Sequence, residues 1–344
     1  VEFMSYIIQS TEKVRSIGSE YETKALLYLM NFRLDSNQIN YYVIDFFNDL
    51  TGMSSMGDKL WDIQSKASKN TSAKALGREM VTLYKNYLSS LTFNHYILFV
   101  GGLTKTIRID NTKNVFELDN VTEKALRSIK MGLKEEAQSK TYIDSTKVTD
   151  ENIDKFLKVV QIVVDDKKNS EYVKSVIKTS VKLLPSDEVL DSIFDEIKDK
   201  QSLKKNSIVE NIVIKTSHEA LNYSRHLTGE EIRLMAISRI INRNPLDNGV
   251  PASFYDIIRD LHTHKKKDYV LNGQIGVAKA ISNKNNIDNF WRFFENVYFV
   301  TLENPNEDVN AIFDKLDKDL MGNCPEFDLI SIKYFIATVK DGIS

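Results

Sequence analysis

Apolar and polar side chains alternate with a period of two along residues 59–66. Leu60, Asp62, Gln64 and Lys66 fall on one side, and Trp61, Ile63 and Ser65 on the other. That pattern predicts a β-strand. Residues 41–47 (Tyr41-Tyr42-Val43-Ile44-Asp45-Phe46-Phe47) are rich in β-branched and aromatic side chains and predict the strand before it. The stretch from Thr51-Gly52 to Gly57 reads as the turn of a hairpin between the two. Upstream, Ala25, Leu26, Leu29, Met30 and Phe32 recur at helical spacing and predict a helix over residues 19–34, preceded by Gly18. Downstream, residues 72–88 predict a helix that buries Leu76, Met80, Leu83, Tyr84 and Tyr87. The unbroken apolar run 95–100 predicts a buried strand, ended by Gly101-Gly102. A helix over 122–137 and a strand over 156–164 follow, and Asp165-Asp166-Lys167-Lys168 halts the strand. Helix, strand, strand, helix, strand is the order of a layered α/β core.

From about residue 169 the texture turns helical, with periodic segments at 172–183, 188–197, 230–241 and 254–261. The simplest division is an α/β domain over 1–165 and a mainly α-helical domain over 166–344. A chain of 344 residues is long enough for two such domains.

Composition narrows the class. The chain is 42% hydrophobic and 27% charged, which suits a folded protein with a sizeable core. A net charge of -2 gives no global footprint of a nucleic-acid binder, though a locally basic groove remains compatible with it. The single cysteine, Cys324, allows neither an intrachain disulfide nor a cysteine-rich zinc site, and a cytoplasmic location is expected. No apolar run is long enough for a membrane span. Val1-Glu2-Phe3-Met4 lacks the basic and apolar regions of a signal peptide, and Met4 reads as the natural start. No Gly-x-x-x-x-Gly-Lys-Ser/Thr phosphate loop occurs, so ATP hydrolysis is not expected.

The chemistry concentrates in the first 70 residues. Asp45 and Asp49 stand near the end of one predicted strand, and Gln64-Ser65-Lys66 near the end of the next. Gln64 and Lys66 are two apart and share a face, beside the acids across the hairpin. Hard oxygen donors converging beside an ammonium are what metal-assisted hydrolysis of a phosphodiester needs. In this reading Asp49 binds the metal through its carboxylate and Gln64 through its side-chain carbonyl, with the main-chain carbonyl of Ser65 as a further ligand. Lys66 orients the attacking water and offsets charge on the phosphate. Glu22, on the first helix, reaches the same metal, or else caps that helix, because Ser19-x-x-Glu22 is also a capping box. Asp45 and Asp62 are reserve ligands, and Asp45 becomes the principal acid if the first strand stops short of Asp49.

These residues resemble the PD-(D/E)XK nucleases of the Gln-x-Lys variety, with a restriction-endonuclease-like core. More narrowly, Val43-Ile44-Asp45-Phe46-Phe47-Asn48-Asp49 followed by Asp62-Ile63-Gln64-Ser65-Lys66 is similar to the dsDNA nuclease domain of bacterial anti-phage defence, found in the CBASS effector nuclease and in the nuclease subunit of Lamassu systems. The resemblance covers about residues 15–165, and Phe156-Leu157-Lys158-Val159 matches the strand start that closes that domain. Where the family carries a glycine-rich Tyr-Gln opening, this chain has Gly18-Ser19-Glu20-Tyr21-Glu22. The resemblance implies Mg²⁺-dependent (or Mn²⁺-dependent) cleavage of double-stranded DNA. It also implies control by homo-oligomerisation or by a partner such as an SMC-like ATPase, which the helical domain would dock. The competing expectations are a restriction-type nuclease and a catalytically inactive nuclease fold serving as an adaptor. Outside this segment, His262-Thr263-His264 with Lys265, Lys266 and Lys267 reads as a solvated loop, and Arg233, Arg239 and Arg243 as a charged helix face.

Overall fold

The computed structural model describes residues 6–8, 16–206, 209, 211–247 and 249–343. The start-site and leader readings at Val1 to Met4 lie outside them. The chain forms two compact units, one of residues up to Tyr172 with Ile197–Thr228, the other of Val173–Glu196 with Gly229–Ser344. This differs from a single cut at 165, because residues 197–228 return to the first unit.

In chain order the first unit contains β1 (Tyr6–Ile8), α1 (Ser16–Asn31), β2 (Tyr41–Ile44), β3 (Leu50–Met53), β4 (Leu60–Lys66), α2 (Ala73–Glu79), α3 (Val81–Tyr87), β5 (His95–Val100), β6 (Val115–Phe116), α4 (Glu123–Ser139), α5 (Asp150–Leu157) and β7 (Val160–Val164). Next come α6 (Asn169–Val176) and α7 (Asp187–Lys204), and the returning segment adds β8 (Ile212–Ile214) and β9 (His226–Thr228). Seven strands make one mixed sheet in the order β6-β7-β5-β4-β3-β2-β9. β4, β5 and β7 run parallel, and the other pairings are antiparallel. β1 and β8 pair separately. The chain is thus an α/β sheet flanked by helices, with a helical region after it.

The period of two in β4 is realised. Leu60 joins a buried cluster with Leu98, Ile162 and Phe156 on one side of the sheet. On the other side Tyr28 of α1 meets Phe99 with ring centroids 5.8 Å apart. The hairpin before it differs from the expectation. β2 stops at Ile44, and Asp45 turns the chain with φ 47° in the left-handed region. Phe46 and Phe47 then leave the strand and anchor the turn in the core, where Phe47 packs edge-on against Tyr6 and Phe93. Residues 50–53, part of them read as turn, form a strand buried along its whole length. Gly52 suits it because a Cβ there would stand 3.1–3.3 Å from the Leu29 and Ile39 side chains.

Two further elements differ. The helix over 72–88 is two helices meeting at Met80. Phe156 and Leu157 close α5, which Thr149 caps by accepting from Asn152 N at 3.1 Å, so the strand starts only at Val160. α1 begins at Ser16, with Gly18 inside it.

α2 and α4 touch backbone to backbone. A Cβ on Gly77 would lie 2.0 Å from the Ile129 carbonyl oxygen, and one on Gly132 would lie 2.1 Å from that of Lys74. This crossing holds Arg78, Glu79 and Glu136 in the wall of the cleft described below. Gly132→Ala is therefore expected to lower unfolding stability by about 1–3 kcal/mol. A denaturant midpoint equal to that of the wild type would contradict so close an approach.

The second unit adds α8 (Gly229–Ile241), α9 (Ala252–Ile258), α10 (Thr263–Ser282), α11 (Ile287–Glu303), α12 (Val309–Lys315), α13 (Lys318–Gly322) and α14 (Leu329–Ile343). Its core gathers Phe290, Phe293 and Phe294 of α11 around Phe335 of α14. Arg233 is buried rather than part of an outer face, and its Nε donates to the Ile281 carbonyl at 2.8 Å. His262 and His264 start α10 instead of lying in a loop. Burial pushes the Cys324 thiol up to about 12, in keeping with an inert side chain. No helix among the described residues is long and apolar enough to cross a membrane.

Candidate functional site

Asp49 directly precedes β3, and Leu50 stands opposite Ile63 of β4. That register sets the Asp49 carboxylate beside Gln64 and Ser65. Its Oδ2 accepts from Gln64 Nε2 at 2.8 Å, from Ser65 N at 2.8 Å and from Ser65 Oγ at 3.0 Å. Its Oδ1 accepts no hydrogen bond among the described residues. Burial, and next the charge of Glu22, push the Asp49 carboxyl up to about 7 against the pull of Lys66 and the Ser65 hydrogen bonds. The carboxylate is oriented by three hydrogen bonds on one oxygen and half-buried, with the charges of Glu22 and Lys66 acting on it in opposite senses.

The strand ends before Asp49, yet Asp49 remains the acid that meets Gln64. The chain doubles back at Asp45 and delivers Asp49 to the next strand of the sheet. Asp45 itself is exposed, and Arg225 Nη1 lies 3.1 Å from its Oδ2 and also donates to its main-chain carbonyl. Asp45 therefore makes its ion pair with Arg225, apart from the Asp49–Gln64–Ser65 contacts.

The remaining candidates separate. Gln64 is buried, and its amide nitrogen is spent on Asp49, leaving Oε1 as its acceptor atom. Ser65 meets Asp49 through its N–H and hydroxyl, as a donor, whereas the expectation used its main-chain carbonyl. Lys66 Nζ lies 3.3 Å from Glu79 Oε2. Glu22 sits inside α1, which starts at Ser16, so the capping reading fails. Instead Glu22 is ion-paired with Lys205, both side chains being mostly buried. Asp62 is 0% exposed and lies in the core, where its Oδ2 accepts from Asn86 Nδ2 at 2.7 Å. Burial pushes Asp62 up to about 7 as well, and its Oδ1 makes no hydrogen bond among the described residues. As a fully buried core acid it does not serve as a reserve ligand.

A cleft of about 840 Å³ in the first unit collects Asp45, Asp49, Gln64, Lys66, Glu79 and Arg225 in its lining. For a hard divalent cation, Asp49 Oδ1 and Gln64 Oε1 are oxygen donors of the right chemistry, while Glu22, whose charge acts on Asp49, is outside the cleft lining and paired with Lys205. Among the described residues no group of three or more His, Cys, Asp or Glu is placed to hold a metal ion. The expected acids Asp49 and Glu22, with Asp45 and Asp62 in reserve, are thus not gathered into one such group. One open carboxylate oxygen on Asp49 and the amide oxygen of Gln64 are donors of the kind that Mg²⁺ or Mn²⁺ takes.

Sequence reasoning missed Glu79, Lys205 and Arg225. Lys205 and Arg225 lie 183 and 180 residues from the acids they meet. No local pattern points to such pairs. No family model matches the chain, and neither does any curated protein or solved structure.

Proposed function

We propose that this chain is a metal-dependent endonuclease that hydrolyses phosphodiester bonds of double-stranded DNA, with its centre at Asp49, Gln64 and Lys66 on a restriction-endonuclease-like core. The observation that supports it most is the Asp49 carboxylate, held by three donors on one oxygen, bare on the other, and facing a cleft beside an amide and an ammonium. Asp49, Gln64 and, after release from Lys205, Glu22 would hold Mg²⁺ or Mn²⁺. The metal, when bound, supplies Lewis-acid polarisation of the phosphate. Lys66 holds the attacking water in line and offsets charge on the phosphate oxygens as water adds to phosphorus and the bond to the leaving oxygen breaks. Glu79 keeps the Lys66 side chain at the cleft wall.

The DNA substrate, the anti-phage role of CBASS or Lamassu type and control by a homo-oligomer or an SMC-like ATPase rest on the sequence resemblance alone. The near-neutral net charge agrees with DNA binding shared among several subunits. The test of the metal site is thermal melting with increasing Mn²⁺ or Mg²⁺. The wild type is expected to gain several degrees and Asp49→Ala none. Equal shifts in both would put the metal elsewhere.

A second reading is favoured by one specific observation. Each charged group of the site already has a protein partner: Asp49 with Gln64 and Ser65, Lys66 with Glu79, Glu22 with Lys205. A catalytically inactive nuclease fold serving as an adaptor would look the same, and it would show no metal-dependent shift.

A further inference from the structure

Among the described residues six basic side chains line the cleft, and four are matched by carboxylates: Lys66 by Glu79, Arg78 by Glu135, Lys140 by Glu136 and Arg225 by Asp45. Lys147 is exposed to solvent. Lys85 is neither exposed nor in contact with a carboxylate, although the charge of the buried Asp62 acts on it from a distance. It is half-buried and makes no ion pair among the described residues.

What holds Lys85 is a chain of neutral groups. Its Nζ donates to the Tyr6 hydroxyl at 2.7 Å and sits 5.0 Å from the Tyr6 ring centroid. The Tyr6 hydroxyl donates to Asn86 Oδ1 at 2.7 Å, and Asn86 Nδ2 donates to Asp62 Oδ2 at 2.7 Å. Every hydrogen bond in the chain points inward, so it ends at the buried Asp62 carboxylate and begins at the ammonium in the cleft. An ammonium carries three N–H donors, and Tyr6 takes one. A cation with little solvent and no contacting carboxylate is costly unless an anion meets it. The same cleft presents Asp49, Gln64 and Lys66.

We infer that Lys85, aimed by Tyr6, is an oxyanion subsite in the cleft wall, and that its ligand is a phosphodiester oxygen of the substrate strand beside the one cut. A point-charge ammonium with spare donors suits a phosphate oxygen. The subsite follows from the geometry of Lys85, and the identity of its ligand rests on the nuclease reading.

The test measures binding of a short duplex oligonucleotide and of inorganic phosphate in EDTA, for wild type, Lys85→Met, Lys85→Arg and Tyr6→Phe, with melting curves checking that each variant folds. Lys85→Met is expected to weaken duplex binding at least ~10-fold and to abolish phosphate competition. Lys85→Arg should retain most of both, and Tyr6→Phe should give a smaller loss by unfixing the lysine. Phosphate binding lost in Lys85→Met with duplex binding untouched would keep the subsite and sink its assignment to DNA. Wild-type binding of both probes by a folded Lys85→Met, or no binding of either by the wild type, overturns the inference.

Discussion

Lys66→Ala is expected to lower DNA hydrolysis by about 10²–10³-fold while metal binding at Asp49 survives. Lys66 stands two residues beyond Gln64 on the same face of β4, and both line the cleft with Asp49. Removing its ammonium takes away a positive charge where charge develops on the phosphate, but leaves the oxygen donors in place. The Mn²⁺-dependent melting shift should therefore persist in this variant and vanish in Asp49→Ala, which separates the loss of chemistry from the loss of the ion. Glu79→Gln should cost less, since it only releases Lys66 from its 3.3 Å partner. Hydrolysis by Lys66→Ala at the wild-type rate would remove Lys66 from the machinery.

The second large effect concerns stability and pH. Asp49 and Asp62 are both pushed from the ordinary 3.8 up to about 7 in the folded protein, chiefly by burial. The folded state then binds more protons than the unfolded chain between those values. The contribution of these two acids to metal-free stability is accordingly expected to fall as pH rises from about 4 to about 7 and to level off above. Asp49→Asn removes the half-buried one of these two negative charges. In metal-free buffer above pH 7 it should melt higher than the wild type, by roughly 2–4 °C for each kcal/mol relieved. Only below about pH 3, under the unfolded value of 3.8, is Asp49 protonated in both states, and there the two curves should converge. Added Mg²⁺ should then raise the wild type alone. Coincident melting curves at both ends of the pH range would mean that Asp49 is not under the electrostatic stress described.

Much of the site was legible because it is local. The alternation over residues 60–66 placed Gln64 and Lys66 on one face, and antiparallel pairing brought Asp49 to them. The hairpin itself was less legible. Thr51 and Gly52 carry turn chemistry, but both are buried, Gly52 against Leu29 and Ile39, and burial overrides that preference and makes them strand. Phe46 and Phe47 carry strand chemistry, yet they pin a turn, because Tyr6, Phe93 and Tyr223 offer them aromatic partners. Phe156 and Leu157 look like the start of a strand from their composition, but the cap at Thr149 commits them to a helix. The return of residues 197–228, which supplies Lys205 and Arg225, depends on contacts across most of the chain length.

The central claim is metal-dependent hydrolysis of duplex DNA at Asp49. It is tested most directly by incubating the wild-type protein with supercoiled duplex DNA in Mg²⁺ or Mn²⁺, with EDTA and Asp49→Ala as the paired controls. Nicked and linear products are expected in the metal arms, growing with protein concentration, and none in either control. Intact supercoiled DNA in every arm at all protein concentrations, or products that persist in EDTA or with Asp49→Ala, would contradict it.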